Sequence, residues 1–320
     1  MSRSLKAHIL LVLISFIWGV NFVVIKNALA DCSPLFFNAV RMVLAAVLLI
    51  VFFYRDLPRL TWGAIGAGSL IGILLCLGNE FQTAGLQYTT PSKSAFLTGI
   101  SVVLVPVFLA LFWKRRINRW CTAGVCLAFL GLFLLTVPRT TEGVTLLRGM
   151  NRGDLLTLVA AAIYAFHIIF IAHVTQKYSW QQITLVQLVS SAVFSMITTP
   201  IAENVHVVWS GRVLWGMAIT GCLSLAFCLS VQAWAQQFTP PTHTALIFTL
   251  EPVFAWMTSF LFLGERLGMR SVIGGLCILA GVLISEEKGS AESMGVSPDH
   301  AGAPVSGGAQ SGILGKGEQA

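Results

Sequence analysis

The chain has 320 residues, 56% of them hydrophobic and 10% charged, with a formal net charge of +7. A mean hydropathy of +0.81 excludes an ordinary soluble domain and points to a protein built for a bilayer. The charge is not a nucleic-acid signal, because the lysines and arginines lie mostly in the short breaks between apolar stretches, where membrane orientation requires them.

About 20 mostly apolar residues cross a bilayer core. Ten such stretches fill the first 285 residues, at 8–28, 33–53, 63–86, 92–113, 119–137, 153–173, 182–200, 212–236, 241–263 and 269–285. The fold class expected is an all-α polytopic membrane protein. The first stretch imitates a signal peptide, with Arg3 and Lys6, an apolar run and Ala28-Leu29-Ala30. Its run from His8 to Ile25 exceeds the roughly 7–15 residues of a signal core, so it reads as the first transmembrane helix. Residues 138–152 read as a connecting loop, and 286–320, rich in Gly, Ser, Ala and Pro, as a disordered tail. Cys76, Cys126, Cys222, Cys228 and Cys277 lie inside spans without paired spacing, and there is no CxxC. No metal or cofactor is expected.

One text occurs twice. Gln87-Tyr88-Thr89-Thr90-Pro91-Ser92-Lys93-Ser94-Ala95 returns as Gln237-Phe238-Thr239-Pro240-Pro241-Thr242-His243-Thr244-Ala245. Gln82 matches Gln232, and Gly124 and Gly131 match Gly274 and Gly281. A repeat fixes architecture. Residues 1–137 and 153–285 each hold five helices, and an odd number forces the second half to enter from the opposite side. The repeat is therefore inverted.

In the first half, Arg3, Lys6, Arg55, Arg59, Lys114, Arg115, Arg116 and Arg119 share one side, leaving Lys26 and Lys93 near the other. The positive-inside rule makes the richer side cytoplasmic, with both termini inside and the inner membrane as location. The second half opposes this, because Arg139, Arg148, Arg152, Arg212, Arg266 and Arg270 fall outside against Lys177 and Lys288 inside. Early helices usually dominate topology, which decides for the first half.

The chain resembles the EamA-type ten-helix group of the drug/metabolite transporter superfamily. The resemblance rests on Trp18-Gly19-x-Asn21-Phe22, the run from Arg41 to Ala46, Gly85 to Thr89, Ser94 to Thr98 and Val105-Pro106, then on Leu250-Glu251-Pro252-Val253 and Gly264-Glu265-Arg266-Leu267. It covers about residues 5–285. Lys114-Arg115-Arg116 departs from the Gly-Glu-Arg-like turn common in the group. The resemblance implies two five-helix repeats around a central cavity reached alternately from each side. It does not name a substrate.

Ionisable groups inside a bilayer are functional candidates by default. Glu80, flanked by Asn79 and Gln82, and Glu251, just before Pro252, are the proton-coupling candidates, each weighed against a role in packing. Arg41 lies eight residues from Ser33, which fits snorkelling to headgroups as well as anchoring a substrate carboxylate. His167 answers to Asn21 when Tyr164 is matched to Trp18. Gln232 and Gln236 share a helix face. The cavity set expected is Trp18, Asn21, Arg41, Asn79, Tyr164, His167, Gln232, Trp234 and Gln236. Hinges are expected at Pro91, Pro106, Pro241 and Pro252, where a missing N–H breaks the helical ladder.

The function expected is secondary transport of a small organic metabolite or amino acid by alternating access, as export, with proton exchange. No GxxxxGK[ST] supports ATP hydrolysis within the chain. An intramembrane enzyme needs a facing nucleophile and histidine or an HExxH, neither of which the sequence carries. A passive channel predicts rings of one charge. The partners are the solute and the bilayer, without nucleic acid, and a homodimer is compatible with the sequence.

Overall fold

The computed structural model describes residues 2–115, 117–136, 150–263 and 269–293. Among them the first half holds α1 (Arg3–Ala28), α2 (Pro34–Phe52), α3 (Trp62–Tyr88), α4 (Pro91–Gly99), α5 (Ser101–Trp113) and α6 (Arg119–Thr136). The second half holds α7 (Arg152–Val174), α8 (Trp180–Ala202), α9 (Gly211–Ile219), α10 (Cys228–Ala235), α11 (Pro241–Phe248), α12 (Leu250–Leu263) and α13 (Met269–Ser293). A π-helical segment, Thr220–Phe227, joins α9 to α10.

These helices make ten crossing units. α4 and α5 form one unit interrupted at Ile100, α9 to α10 form another through the π segment, and α11 and α12 form a third interrupted at Thr249. The starts are written locally. Thr61, Thr90, Ser179 and Ser210 cap α3, α4, α8 and α9 through their hydroxyls, and Asn151 closes a reciprocal capping box with Asp154 at α7. Pro34, Pro91 and Pro241 occupy the first turns of α2, α4 and α11, where a missing N–H costs nothing.

The two halves are related by a pseudo-twofold axis, visible in α6 and α13. A Cβ at Gly124 would lie 2.6 Å from the carbonyl oxygen of Gly281, and one at Gly131 would lie 2.5 Å from that of Gly274. Gly124 answers to Gly274 and Gly131 to Gly281 in the sequence repeat, so the axis maps each contact onto the other. The same exchange pairs the packing of α3 on α7 with that of α10 on α1. α3 meets α8 through Gly68 against Val186 and Gly72 against Gln187 and Ser190, a close approach that only small residues permit.

The ends of the bundle form two faces. Face A carries the loops around 54–61, 175–179 and 236–240, joined where Gln176 Nε2 donates to the Gln237 carbonyl and Gln182 Nε2 to that of Arg59. Face B carries the loops around 29–33, 89–90 and 203–210, joined by an Arg212–Asp31 ion pair and an isolated bridge between Cys32 and Val207.

The helix ends lie close to those expected, with two differences, the first being that α1 begins at Arg3, five residues before the expected start at 8. α13 continues to Ser293, eight residues past the expected end at 285, so the start of the expected tail is helical. Residues 294–320, most of the connecting loop, and Gly264-Glu265-Arg266-Leu267 lie outside the described residues.

Candidate functional site

A cavity of about 80 Å³ sits inside the bundle at the level of the helix breaks. On that scale it holds roughly five to eight waters or a small solute. α1 contributes Trp18, Asn21, Phe22 and Ile25, and α3 contributes Asn79, Gln82 and Thr83. The α4–α5 break contributes Thr98, Gly99 and Ser101, and the α11–α12 break contributes Phe248 and Glu251. Tyr164 and His167 come from α7, Ser224 and Leu225 from the π segment, and Gln232 from α10.

The breaks follow from the chain. Pro252 has no N–H for the carbonyl of Phe248 and crowds the preceding turn, and α11 ends at Phe248. Thr249 closes the end by donating from its hydroxyl to the carbonyl of Leu246 at 2.6 Å. In the first half the interruption falls at Ile100, while Pro106 lies within α5. The helix break thus falls six residues before Pro106, where Gly99 approaches Leu132 of α6. Pro91 and Pro241 sit at the starts of their helices on faces B and A.

Trp18 and Tyr164 are pseudo-symmetric and both frame the cavity. The Trp18 indole N–H donates to the carbonyl of Ser224 at 3.0 Å, and its ring meets Phe248 edge-on at 5.0 Å. The Tyr164 hydroxyl donates to Gln82 Oε1 at 3.2 Å, and Gln82 Nε2 donates to the Thr98 hydroxyl at 3.0 Å. His167 Nε2 lies 3.3 Å from Gln187 Oε1. Gln232 Nε2 donates to Gln236 Oε1 at 3.0 Å, whereas Gln232 Oε1 is buried and without a partner.

The two acidic candidates part company. Glu251 lines the cavity in the first turn of α12, and its carboxylate has no hydrogen bond or ion pair among the described residues. Glu80 points between α3 and α8, where its Oε1 accepts from the Thr198 hydroxyl at 2.6 Å and the Cys76 thiol at 3.3 Å. It is not among the lining residues.

Arg41, Trp234 and Gln236 also stand outside the lining. Arg41 is 1% exposed, not snorkelling: its Nε donates to Asn38 Oδ1 at 2.8 Å and its terminal nitrogen to Asn79 Oδ1. Asn38 Nδ2 donates to the Asn79 carbonyl, which pins α2 to α3 behind the cavity wall. Trp234 packs edge-on against Phe238, and Gln236 Nε2 donates to the Ile168 carbonyl. Gln82, Thr98, Ser101 and Ser224 line the cavity and were not in the expected set. The match of Gln82 to Gln232 carried the signal for the first, and the π segment that presents Ser224 leaves no mark in the sequence.

A ten-unit helical bundle whose two broken helices meet at a polar cavity has the architecture of a membrane transporter. A sequence model of the EamA-like transporter family matches residues 5–137 and again 151–286, and the chain belongs to that family. An uncharacterized transporter of Archaeoglobus fulgidus is 33% identical over 288 residues, covering 88% of this chain and 86% of its own. A probable amino-acid metabolite efflux pump of Escherichia coli is 26% identical over 300 residues, covering 88% of this chain and 95% of its own. One crystal structure shares the fold at a TM-score of 0.70 and 14% identity, covering 90% of this chain and 99% of that one.

Proposed function

We propose that the protein is a secondary transporter that exports a small organic metabolite or amino acid across the cytoplasmic membrane, by alternating access and in exchange for protons at Glu251. The observation that carries this reading is the Glu251 carboxylate, which lines the cavity at a helix break and is neither hydrogen-bonded nor ion-paired among the described residues. An intramembrane carboxyl group without protein partners is free to take up and release a proton as access changes sides. Glu80 is held by Thr198 and Cys76 away from the cavity, which favours a role in packing α3 on α8.

Gln232 Oε1 and Glu251 offer acceptors to a solute's N–H groups, and Gln82, Ser101 and Asn21 offer donors. The description of a relative of 26% identity as a probable amino-acid metabolite efflux pump agrees with that chemistry. The two five-helix halves act as the moving units, 1–137 against 153–285, with both termini and face A in the cytoplasm and face B outside.

The test is uptake of amino acids by proteoliposomes under an imposed pH gradient. Glu251→Gln abolishes gradient-driven uptake while Glu80→Gln retains it. Unchanged uptake in Glu251→Gln removes Glu251 from the mechanism.

A further inference from the structure

The amides of the cavity wall are not free to face either way, because hydrogen bonds behind them fix which atom each presents. The Ile168 carbonyl can only accept, so Gln236 turns its Nε2 to it, at 2.9 Å. Gln236 then offers its Oε1 to Gln232, whose Nε2 donates at 3.0 Å. Gln232, a lining residue only 1% exposed, is left with its Oε1 buried and without a partner. The relay of two glutamines ends in an acceptor.

A second relay engages the donors across the wall. The Thr98 hydroxyl donates to the Ser94 carbonyl at 2.9 Å, so it accepts from Gln82 Nε2, and Gln82 Oε1 accepts from Tyr164. Trp18 Nε1 donates to the Ser224 carbonyl, the Thr83 hydroxyl to Asn38 Oδ1, and Asn79 Nδ2 to the Leu75 carbonyl. His167 turns its Nε2 to Gln187. Glu251 adds a carboxylate that has no hydrogen bond or ion pair among the described residues. Among those residues no lysine or arginine lines the cavity, and Arg41 stays behind Asn79, donating to its Oδ1.

We propose that the cavity reads the ammonium end of its solute, through Gln232 Oε1 and Glu251, and leaves the acid end unread. The substrate class is compounds with a free primary amino group: amino acids, and equally their amides and esters, but not their N-acylated forms. The proposal rests on the cavity being the solute site of the transporter and adds which part of the solute is selected. An ammonium brings three N–H donors, together with the positive charge that an unpaired intramembrane carboxylate lacks. A solute carboxylate meets only neutral donors, at Asn21, Ser101 and the second N–H of Gln82, and the oxygen of an amide or ester can accept from these as well.

The test reads binding to the purified full-length protein in detergent, with no gradient and no flux. Apparent affinity is taken from the rise in melting temperature with ligand concentration. Three pools are compared: the free amino acids, their amides and their N-acetyl derivatives. The free and amide pools are expected to bind within about tenfold of each other, and the N-acetyl pool about a hundredfold more weakly, the scale of a lost charged hydrogen bond with its partners left unpaired. Gln232→Leu and Glu251→Gln each weaken amide binding by about tenfold and narrow the gap to the N-acetyl pool, which a purely structural role would leave unchanged. The pool comparison needs no variant, so it decides the matter even where Gln232→Leu fails to fold. Equal binding of amides and N-acetyl derivatives overturns the proposal, as does binding of free acids without amides, or of no pool at all. Selective amine binding in a protein that moves none of these solutes sinks transport alone. Amino-acid flux with equal affinity for the N-acetyl forms sinks amine selection alone.

Discussion

Gly124 of α6 and Gly281 of α13 face each other so closely that a methyl group on either would lie 2.6 Å from the other's carbonyl oxygen. The contact is reciprocal, and the pseudo-twofold axis carries it onto the pair Gly131–Gly274. A side chain at Gly124 has backbone in front of it, not a flexible neighbour. Gly124→Val is expected to destabilise the protein by about 1–3 kcal/mol, the usual cost of overpacking. Its melting temperature in detergent falls, and Gly66→Val, where nothing lies within 4 Å of the added Cβ, serves as the neutral comparison.

Arg41 is a buried cation held by neutral partners. Arg41→Ala leaves Asn79 Oδ1 without its donor, at roughly 1–3 kcal/mol for an unsatisfied buried group, while Asn38 Oδ1 keeps the Thr83 hydroxyl. Arg41→Lys does not restore both bonds, since an ammonium lacks the fixed fork. Both variants are expected to melt below the parent protein, with Ala the lower. A melting temperature equal to that of the parent contradicts the pinning of α2 on α3.

The Trp18 indole holds a carbonyl of the π segment. Trp18→Phe keeps the ring edge against Phe248 but loses the bond to Ser224. Faster amide hydrogen exchange across 220–227 is expected, since π turns persist where a neighbour supports them. Exchange unchanged in that segment would show that the indole bond does not support it.

Cys32, in the loop between α1 and α2, is buried, and burial pushes its thiol up to about 11, with the charge of Glu203 adding to the effect. The reactive thiolate is then scarce below that pH. Alkylation of Cys32 in the folded protein is expected to be slow at pH 8 and to rise as pH approaches 11. Fast labelling at pH 7 counts against the burial of this loop.

The ten crossings were legible because crossing a bilayer demands a long apolar run that little else resembles. The inverted halves were legible from the nine-residue text around Pro91 and Pro241 and from an odd helix count. The site was legible in part. Trp18, Asn21, Asn79, Tyr164, His167, Gln232 and Glu251 stand together around the cavity. Glu80 carries the same chemistry as Glu251, and only packing distinguishes them: it falls on the stripe with Gly72 and Cys76 that faces α8. Arg41 reads as a snorkelling residue by its distance from the helix start, and no local pattern announces that Asn38 and Asn79 meet it. The π segment follows from tertiary packing, which local sequence does not encode.

The most direct test of proton-exchanging transport follows solute and protons in the same vesicles. Purified protein is reconstituted with a pH-sensitive dye inside, and uptake of a labelled amino acid is recorded together with internal pH. Solute entry accompanied by proton exit, both lost in Glu251→Gln, is the result predicted. Solute entry with no change of internal pH, equal in the parent protein and Glu251→Gln, would contradict it.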